Sequence, residues 1–283
     1  MAIAYISPAG AGTGSGDSEA NAINWNGGAG LATAETAAGT DGTIYFLSGN
    51  YSFGGNEVFD GDGITYESIE LNGAVLGDIG THRELTLGSG TNGGQTLRNF
   101  KFVDVRIEGT SGTTANQLIE KCYISTPTAK AYSSSSANGL QAQGYSSGVF
   151  MVFNKCIIEI NCSTDGARIF QGDDYKLNNC TINITSGTAT NIGWSYGPPA
   201  EFKNCIFASD NDSAISTTTG SGSTSRGDFA TYATFSSFYQ MGSTNDSGGT
   251  DNLYDTNPLF VDSANGDYRL RPSSPCIGAG TAS

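Results

Sequence analysis

Leu177-Asn178-Asn179-Cys180-Thr181-Ile182 reads apolar-x-Asn-Cys-x-apolar, and four other stretches repeat the form. They are Leu97-Arg98-Asn99-Phe100-Lys101-Phe102, Ile119-Glu120-Lys121-Cys122-Tyr123-Ile124, Phe153-Asn154-Lys155-Cys156-Ile157-Ile158 and Phe202-Lys203-Asn204-Cys205-Ile206-Phe207. Their first residues step along the chain by 22, 34, 24 and 25. Self-similarity at such a period marks a stacked architecture, and three of the four steps match one coil of a parallel β-helix.

Parity inside the phrase refines this. Side chains alternate across a strand, so the Cys position and the residue two later share a face, whereas the apolar residue three earlier has the wrong parity. The chain must therefore bend inside the phrase. A residue tolerant of left-handed backbone angles solves the bend, and Asn99, Asn179 and Asn204 stand there; Lys121 and Lys155 suit the place less well.

In-register stacking then puts Cys122, Cys156, Cys180 and Cys205 in one inward ladder. Neighbours lie about 4.8 Å apart, or about twice that where an extra coil intervenes. Six cysteines also admit three disulfides or a metal site. The repeat favours packed free thiols, because the ladder brings one cysteine per coil and no close CxxC pair.

The expected fold is all-β, a single-stranded right-handed parallel β-helix solenoid with a short N-terminal capping helix. One domain is expected over residues 1–283, with an N-terminal cap at 1–42, coils at 43–240 and a closing segment at 241–283. Thr43-Ile-Tyr-Phe-Leu47 reads as the first strand, Ile69/Leu71 and Leu85/Leu87 as inward pairs, and the stretch from Gly30 to Ala38 as the helix. About eight or nine coils predict a rod roughly 40 Å long.

With 27 acidic residues against 13 Lys plus Arg, the net charge of −14 repels phosphate backbones and anionic lipid. Nucleic acid is excluded as a partner, and no stretch is long and apolar enough for membrane insertion. The start, Met1-Ala-Ile-Ala-Tyr-Ile-Ser-Pro8, shows no basic segment followed by an apolar run, so no signal peptide is expected. Cytosolic synthesis is expected, and asparagine triplets such as Asn161-Cys162-Ser163 read as by-products of composition.

Near the C-terminus, Asn257-Pro-Leu-Phe-Val-Asp262, Asn265-Gly-Asp-Tyr-Arg-Leu270 and Ser273-Ser-Pro-Cys-Ile-Gly-Ala-Gly280 resemble the closing segment of the pectate-lyase-like superfamily of right-handed parallel β-helices. Asp41-Gly-Thr-Ile-Tyr-Phe-Leu-Ser-Gly-Asn-Tyr51 resembles its opening coil. Gly278 departs from the Asp that many relatives carry there. The resemblance implies a fold more than an activity, since the superfamily holds lyases, glycosidases, adhesins and phage tailspikes. With the acidic Gly/Ser/Thr-rich composition, the chain looks like a bacteriophage virion protein, such as a tail-fibre, tailspike or decoration component. Its location would be a virion or extracellular surface, its partners a host glycan or other virion proteins, and its assembly a homotrimer in one arrangement.

Chemistry is harder to find. Measured from the Cys position of each copy, Asp104, Glu120, Glu159, Asp174, Glu201 and Asp210 fall at different offsets, so no carboxylate pair emerges for glycoside hydrolysis. Asp173 and Asp174, with Asp165 from the preceding turn, are the best catalytic candidates, but adjacent strand residues point to opposite faces. A lyase would draw on Arg168, Lys176 and Lys203, which nothing distinguishes from solubilising charges. His82 is the sole histidine, and Asp60-Gly-Asp-Gly63 reads as a turn rather than a calcium loop. No cofactor and no metal are expected.

Binding has more support. The 34-residue step leaves about ten extra residues within 129–148, carrying Tyr132, Gln141, Gln143 and Tyr145. A second loop at 191–199 carries Trp194 and Tyr196. Aromatic faces stack on sugar rings while amides bond their substituents, so the two loops are expected to form a glycan-binding flank. The competing reading is that these rings only pack their loops. Function is therefore expected to be a non-enzymatic virion or surface protein presenting a glycan-binding flank, with a polysaccharide lyase or glycoside hydrolase, and a purely architectural decoration protein, as alternatives.

Overall fold

The computed structural model describes residues 2–81, 83–88, 93–109, 113–126, 140–141, 149–161, 168–171, 175–185, 192–195, 201–209, 215–219, 222–224, 233–239 and 250–281. The chain is β-rich, with long parallel sheets, and groups into two compact units. Met1–Thr128 with Gln141–Cys156 form the first, and Ala129–Leu140 with Ile157–Ser283 the second.

In the first unit the chain visits three parallel sheets in rotation. One holds, in spatial order, Ile23–Asn24, Ile3–Ser7, Thr43–Phe46, Thr65–Ser68, Thr96–Arg98, Gln117–Glu120 and Met151–Asn154. Another holds Gly49–Tyr51, Ala74–Leu76, Lys101–Val103 and Tyr123–Thr126, and a third Glu57–Phe59, Arg83–Leu87 and Val105–Gly109. Register follows the repeat: Leu97 lies beside Ile119, Ile119 beside Phe153 and Phe102 beside Ile124. The 34-residue step is thus one circuit carrying an insert, and no extra circuit intervenes.

The second unit repeats the plan. Tyr175–Asn178, Glu201–Lys203 and Ala233–Thr234 form one face; Ile157–Asn161, Thr181–Thr185, Ile206–Ser209, Ser237–Tyr239 and Leu253–Tyr254 form the next. Arg168–Gln171, Ile192–Ser195 and Ile215–Thr219 form the third, where Gly222–Thr224 adds an antiparallel strand. An antiparallel hairpin, Phe260–Asp262 with Asp267–Leu270, follows.

The bend inside the repeated phrase is a left-handed residue. Asn99, Lys121 and Lys155 in the first unit have φ of 64°, 53° and 56°, and Asn179 and Asn204 in the second have 55° and 54°. The two lysines adopt the same angles as the asparagines. One reason is that the bend aims a backbone N–H at the next circuit: Asn99 N donates to Glu120 O at 3.2 Å, and Lys121 N to Asn154 O at 3.0 Å. A bond of this kind offsets much of the roughly 1–2 kcal/mol that an L residue loses in this region.

Immediately after four of these five bends sits a buried free thiol, at Cys122, Cys156, Cys180 and Cys205, and buried Phe100 follows Asn99. In three of them Sγ–H reaches the preceding circuit: Cys122 to Leu97 O (3.7 Å), Cys156 to Ile119 O (3.3 Å) and Cys205 to Leu177 O (3.3 Å). Each of the four also contacts the carbonyl two residues before it, as Cys180 does at Asn178 O (3.2 Å). Cysteine therefore fills apolar space and serves a carbonyl turned inward by the bend. Burial pushes the Cys122 thiol well above its usual pKa.

Two further copies of the phrase carry other residues. Phe235 (φ 51°) and Asp251 (φ 55°) occupy the bend, and Ser236 and Asn252 the cysteine place. Asn252 Nδ2 donates to Ala233 O at 3.1 Å, as the thiols do to their preceding circuits, and Ser236 Oγ accepts from Cys205 N at 3.1 Å.

At the N-terminus the expected helix is present, while the readings of residues 1–42 and of Ile69/Leu71 need adjustment. The helix forms at Leu31–Ala38, burying Leu31, Ala34 and Ala38. Residues 1–42 are more than a cap, however, because Ile3–Ser7 is a full strand beside Thr43–Phe46. The interior is closed by Trp25 as well, 2% exposed, packed on Phe46, Tyr51 and Phe53, with Nε1–H on Ser52 O at 2.9 Å. Finally, Leu85 and Leu87 are fully buried, but Ile69 and Leu71 are 42% and 66% exposed. The strand ends at Ser68, whose hydroxyl accepts from Ala74 N and donates to Glu70 O, so Ile69 and Leu71 ride on a turn. No helix among the described residues is long and apolar enough to cross a membrane.

Candidate functional site

On the second face of the second unit, Ile158, Ile182, Phe207 and Phe238 are buried in one row. Alternation sends the next row outward: Glu159, Asn183, Ala208 and Tyr239, each beside the last. The C-terminal hairpin folds back over this outward row instead of continuing the sheet. Tyr268 Oη donates to Glu159 Oε1 at 2.5 Å, and the Tyr268 ring meets Phe260 edge-on at 5.2 Å.

Between hairpin and sheet runs an open groove of about 510 Å³. Its floor is Glu159, Asn183, Thr185, Ser209 and Tyr239; its wall is residues 257–260 with Arg271. The wall is braced from within. Asn257 Nδ2 donates to Tyr239 Oη (3.3 Å) while its Oδ1 accepts from Leu259 N (2.8 Å), and Ser274 Oγ donates to Pro258 O (2.5 Å). Leu259, at φ 54°, is held in the left-handed region by these contacts and by Arg271 N on its carbonyl. Arg271 Nη2 donates to Val261 O at 3.0 Å, which orients the guanidinium along the wall. The tail is pinned farther on, where Asn204 Nδ2 donates to Thr281 O (2.9 Å) and to Asn179 Oδ1 (3.2 Å), and its Oδ1 accepts from Thr281 N (3.0 Å).

A phenol ring, two amides, hydroxyls, one carboxylate and one guanidinium thus face a common space. That mixture suits a polyhydroxylated ligand, with a ring to stack on and groups of both hydrogen-bonding senses.

A second polar constellation lies on the outer face of the first unit's third sheet. Arg106, its side chain 9% exposed, reaches Glu84 Oε1 at 2.5 Å and Glu108 Oε2 at 2.7 Å. Asn56 Nδ2 holds the other Glu84 oxygen at 2.9 Å, and Thr86 Oγ1 donates to Glu108 at 3.3 Å. One guanidinium therefore brings two carboxylates together. This set is invisible when the acids are measured against the repeated phrase alone, because it lies on a different sheet. The signal was the 22-residue step, which carries Glu84 onto Arg106 and Thr86 onto Glu108.

Of the residues singled out from sequence, Tyr132, Gln143, Tyr145, Tyr196, Asp165, Asp173 and Asp174 lie outside the described residues. Gln141 ends the short strand Leu140–Gln141, and Trp194 stands in Ile192–Ser195 beside Phe170 and Thr217. Other candidates have structural partners: Lys176 pairs with Glu201 at 3.6 Å, and Asp104 Oδ2 accepts from Gly80 N. In the Asp60–Gly63 turn, Gly61 N donates to Tyr66 Oη and Gly63 N to Gly93 O. Among the described residues, no three His, Cys, Asp or Glu side chains converge to hold a metal. Compared with known proteins, the chain matches no protein family, no curated protein and no solved structure.

Proposed function

We propose that each unit is a stretch of right-handed parallel β-helix, and that the chain is a non-enzymatic structural component of a virion or other extracellular surface whose groove holds a host glycan. The groove in the second unit carries this reading. Its volume falls in the range of small-ligand sites, roughly 300–1,000 Å³, and its lining mixes an aromatic ring with amides and hydroxyls. The net charge of −14 and Glu159 on the floor favour a neutral sugar over an acidic one.

Tyr239→Ala and Asn183→Ala test it on a glycan array and against host cells. Loss of a bound neutral glycan, by about tenfold or more for the ring, with unchanged far-UV circular dichroism, supports the reading. A wild-type protein that binds no glycan leaves an architectural role in its place.

The rival, a polysaccharide-cleaving enzyme, draws on one observation: Glu84 and Glu108 held together by Arg106. Paired carboxylates are what glycoside hydrolysis needs. New reducing ends released from polysaccharide by wild type and absent with Glu108→Gln would favour it over the binding role.

A further inference from the structure

The N-terminal end of the first unit contains two half-buried carboxyl groups beside its apolar interior. Glu57 shares a face of its strand with fully buried Phe59, and its register neighbours Leu85 and Ile107 are fully buried. An inward position at the end of an apolar row thus carries an acid. Its carboxyl lies against the backbone of Gly28, so closely that a Cβ there would fall 2.1 Å from Oε2. The Gly28 φ of 97° also excludes most other residues.

Glu35 is the one charged residue of the helix Leu31–Ala38. Its Oε1 accepts from Tyr66 Oη at 2.5 Å and from Gly61 N at 3.4 Å, and the Asp60 carboxylate faces it. Around Glu57 the neighbouring strand offers Arg83, which makes no ion pair with it, and Glu84, which points to the opposite face and binds Asn56 and Arg106. The turn Asn26–Gly28 brings no charge.

We propose that this end is a proton-operated closure: with Glu35 and Glu57 protonated, the turn Asn26–Gly28 and the helix Leu31–Ala38 sit shut over the apolar interior, and on ionisation they loosen while the strands behind stay formed. Both acids belong to, or lie directly beneath, the segment that seats Trp25. Burial pushes the Glu57 carboxyl up to about 7, and burial first, then the Asp60 charge, raises Glu35 against the opposing Tyr66 hydrogen bond. The sign follows: a folded pKa above the ordinary 4.5 means that the closed form binds the proton more tightly. Closure is complete below that ordinary value and is lost as pH climbs through about 7.

Trp25 supplies the readout, in the full chain with Trp194→Phe to silence the other tryptophan. Between pH 5 and 8.5 at fixed ionic strength, its emission shifts to the red with a midpoint near 7, and far-UV circular dichroism stays constant. Glu57→Gln removes most of the shift, and Glu35→Gln combined with it removes the rest. Three results overturn the closure: an emission that does not move over this range, a transition unchanged in the double variant, or a simultaneous loss of circular dichroism, which would mean global unfolding.

Discussion

At the bend residue, chemistry and conformation pull apart. Lys121 and Lys155 hold left-handed angles with exposed side chains, so they bear the backbone cost and, among the described residues, make no side-chain bond that offsets it. Asn204 bears the same angles but clasps Asn179 and Thr281. The two kinds of site should respond with opposite sign. Lys155→Asn is expected to stabilise by up to about 1 kcal/mol, whereas Asn204→Ala should cost about 2–3 kcal/mol through lost hydrogen bonds. Urea denaturation monitored by circular dichroism checks both, and a loss at Lys155 would contradict the strain argument.

At the scale of strands, the repeat was legible because parity within six residues demands a bend, and the bend is there. Ile69 and Leu71 were misread because alternation continues in the letters after Ser68 has ended the strand by hydrogen-bonding across its own turn. The copies at Phe235-Ser236 and Asp251-Asn252 are hidden in the letters because a serine hydroxyl, donating to Thr234 O, and an asparagine amide, donating to Ala233 O, perform the thiol's hydrogen bonding. The groove could not be read at all, since its floor comes from Glu159, Asn183 and Tyr239 and its wall from the chain beyond Asn257.

Ion pairs on neighbouring strands divide by burial. Arg98 with Glu120 is 40% exposed on the arginine side, and surface pairs of this kind contribute about 0–1 kcal/mol. Arg106 is 9% exposed and serves two carboxylates. Removing it leaves both acids together without a counter-charge, at a cost of about 3 kcal/mol. Arg106→Leu should therefore lower the thermal midpoint clearly more than Arg98→Leu, and equal effects would show that water screens the Arg106 cluster as thoroughly as the other pair.

In both units of the molecule, taken one at a time, stability comes from repetition. Within each unit, one turn of the chain presents apolar side chains to the next and hands its bend N–H to the following strand, so buried rows and backbone ladders coincide. Within each unit this puts the sulfurs of register neighbours side by side, Cys122 with Cys156 and Cys180 with Cys205. Crystal diffraction collected for sulfur anomalous signal locates those atoms without reference to any assumed chain path. In-register stacking predicts unlinked sulfurs about 4.8 Å apart in each pair. Sulfurs joined as disulfides, or separated by about 10 Å or more, would rule out that stacking.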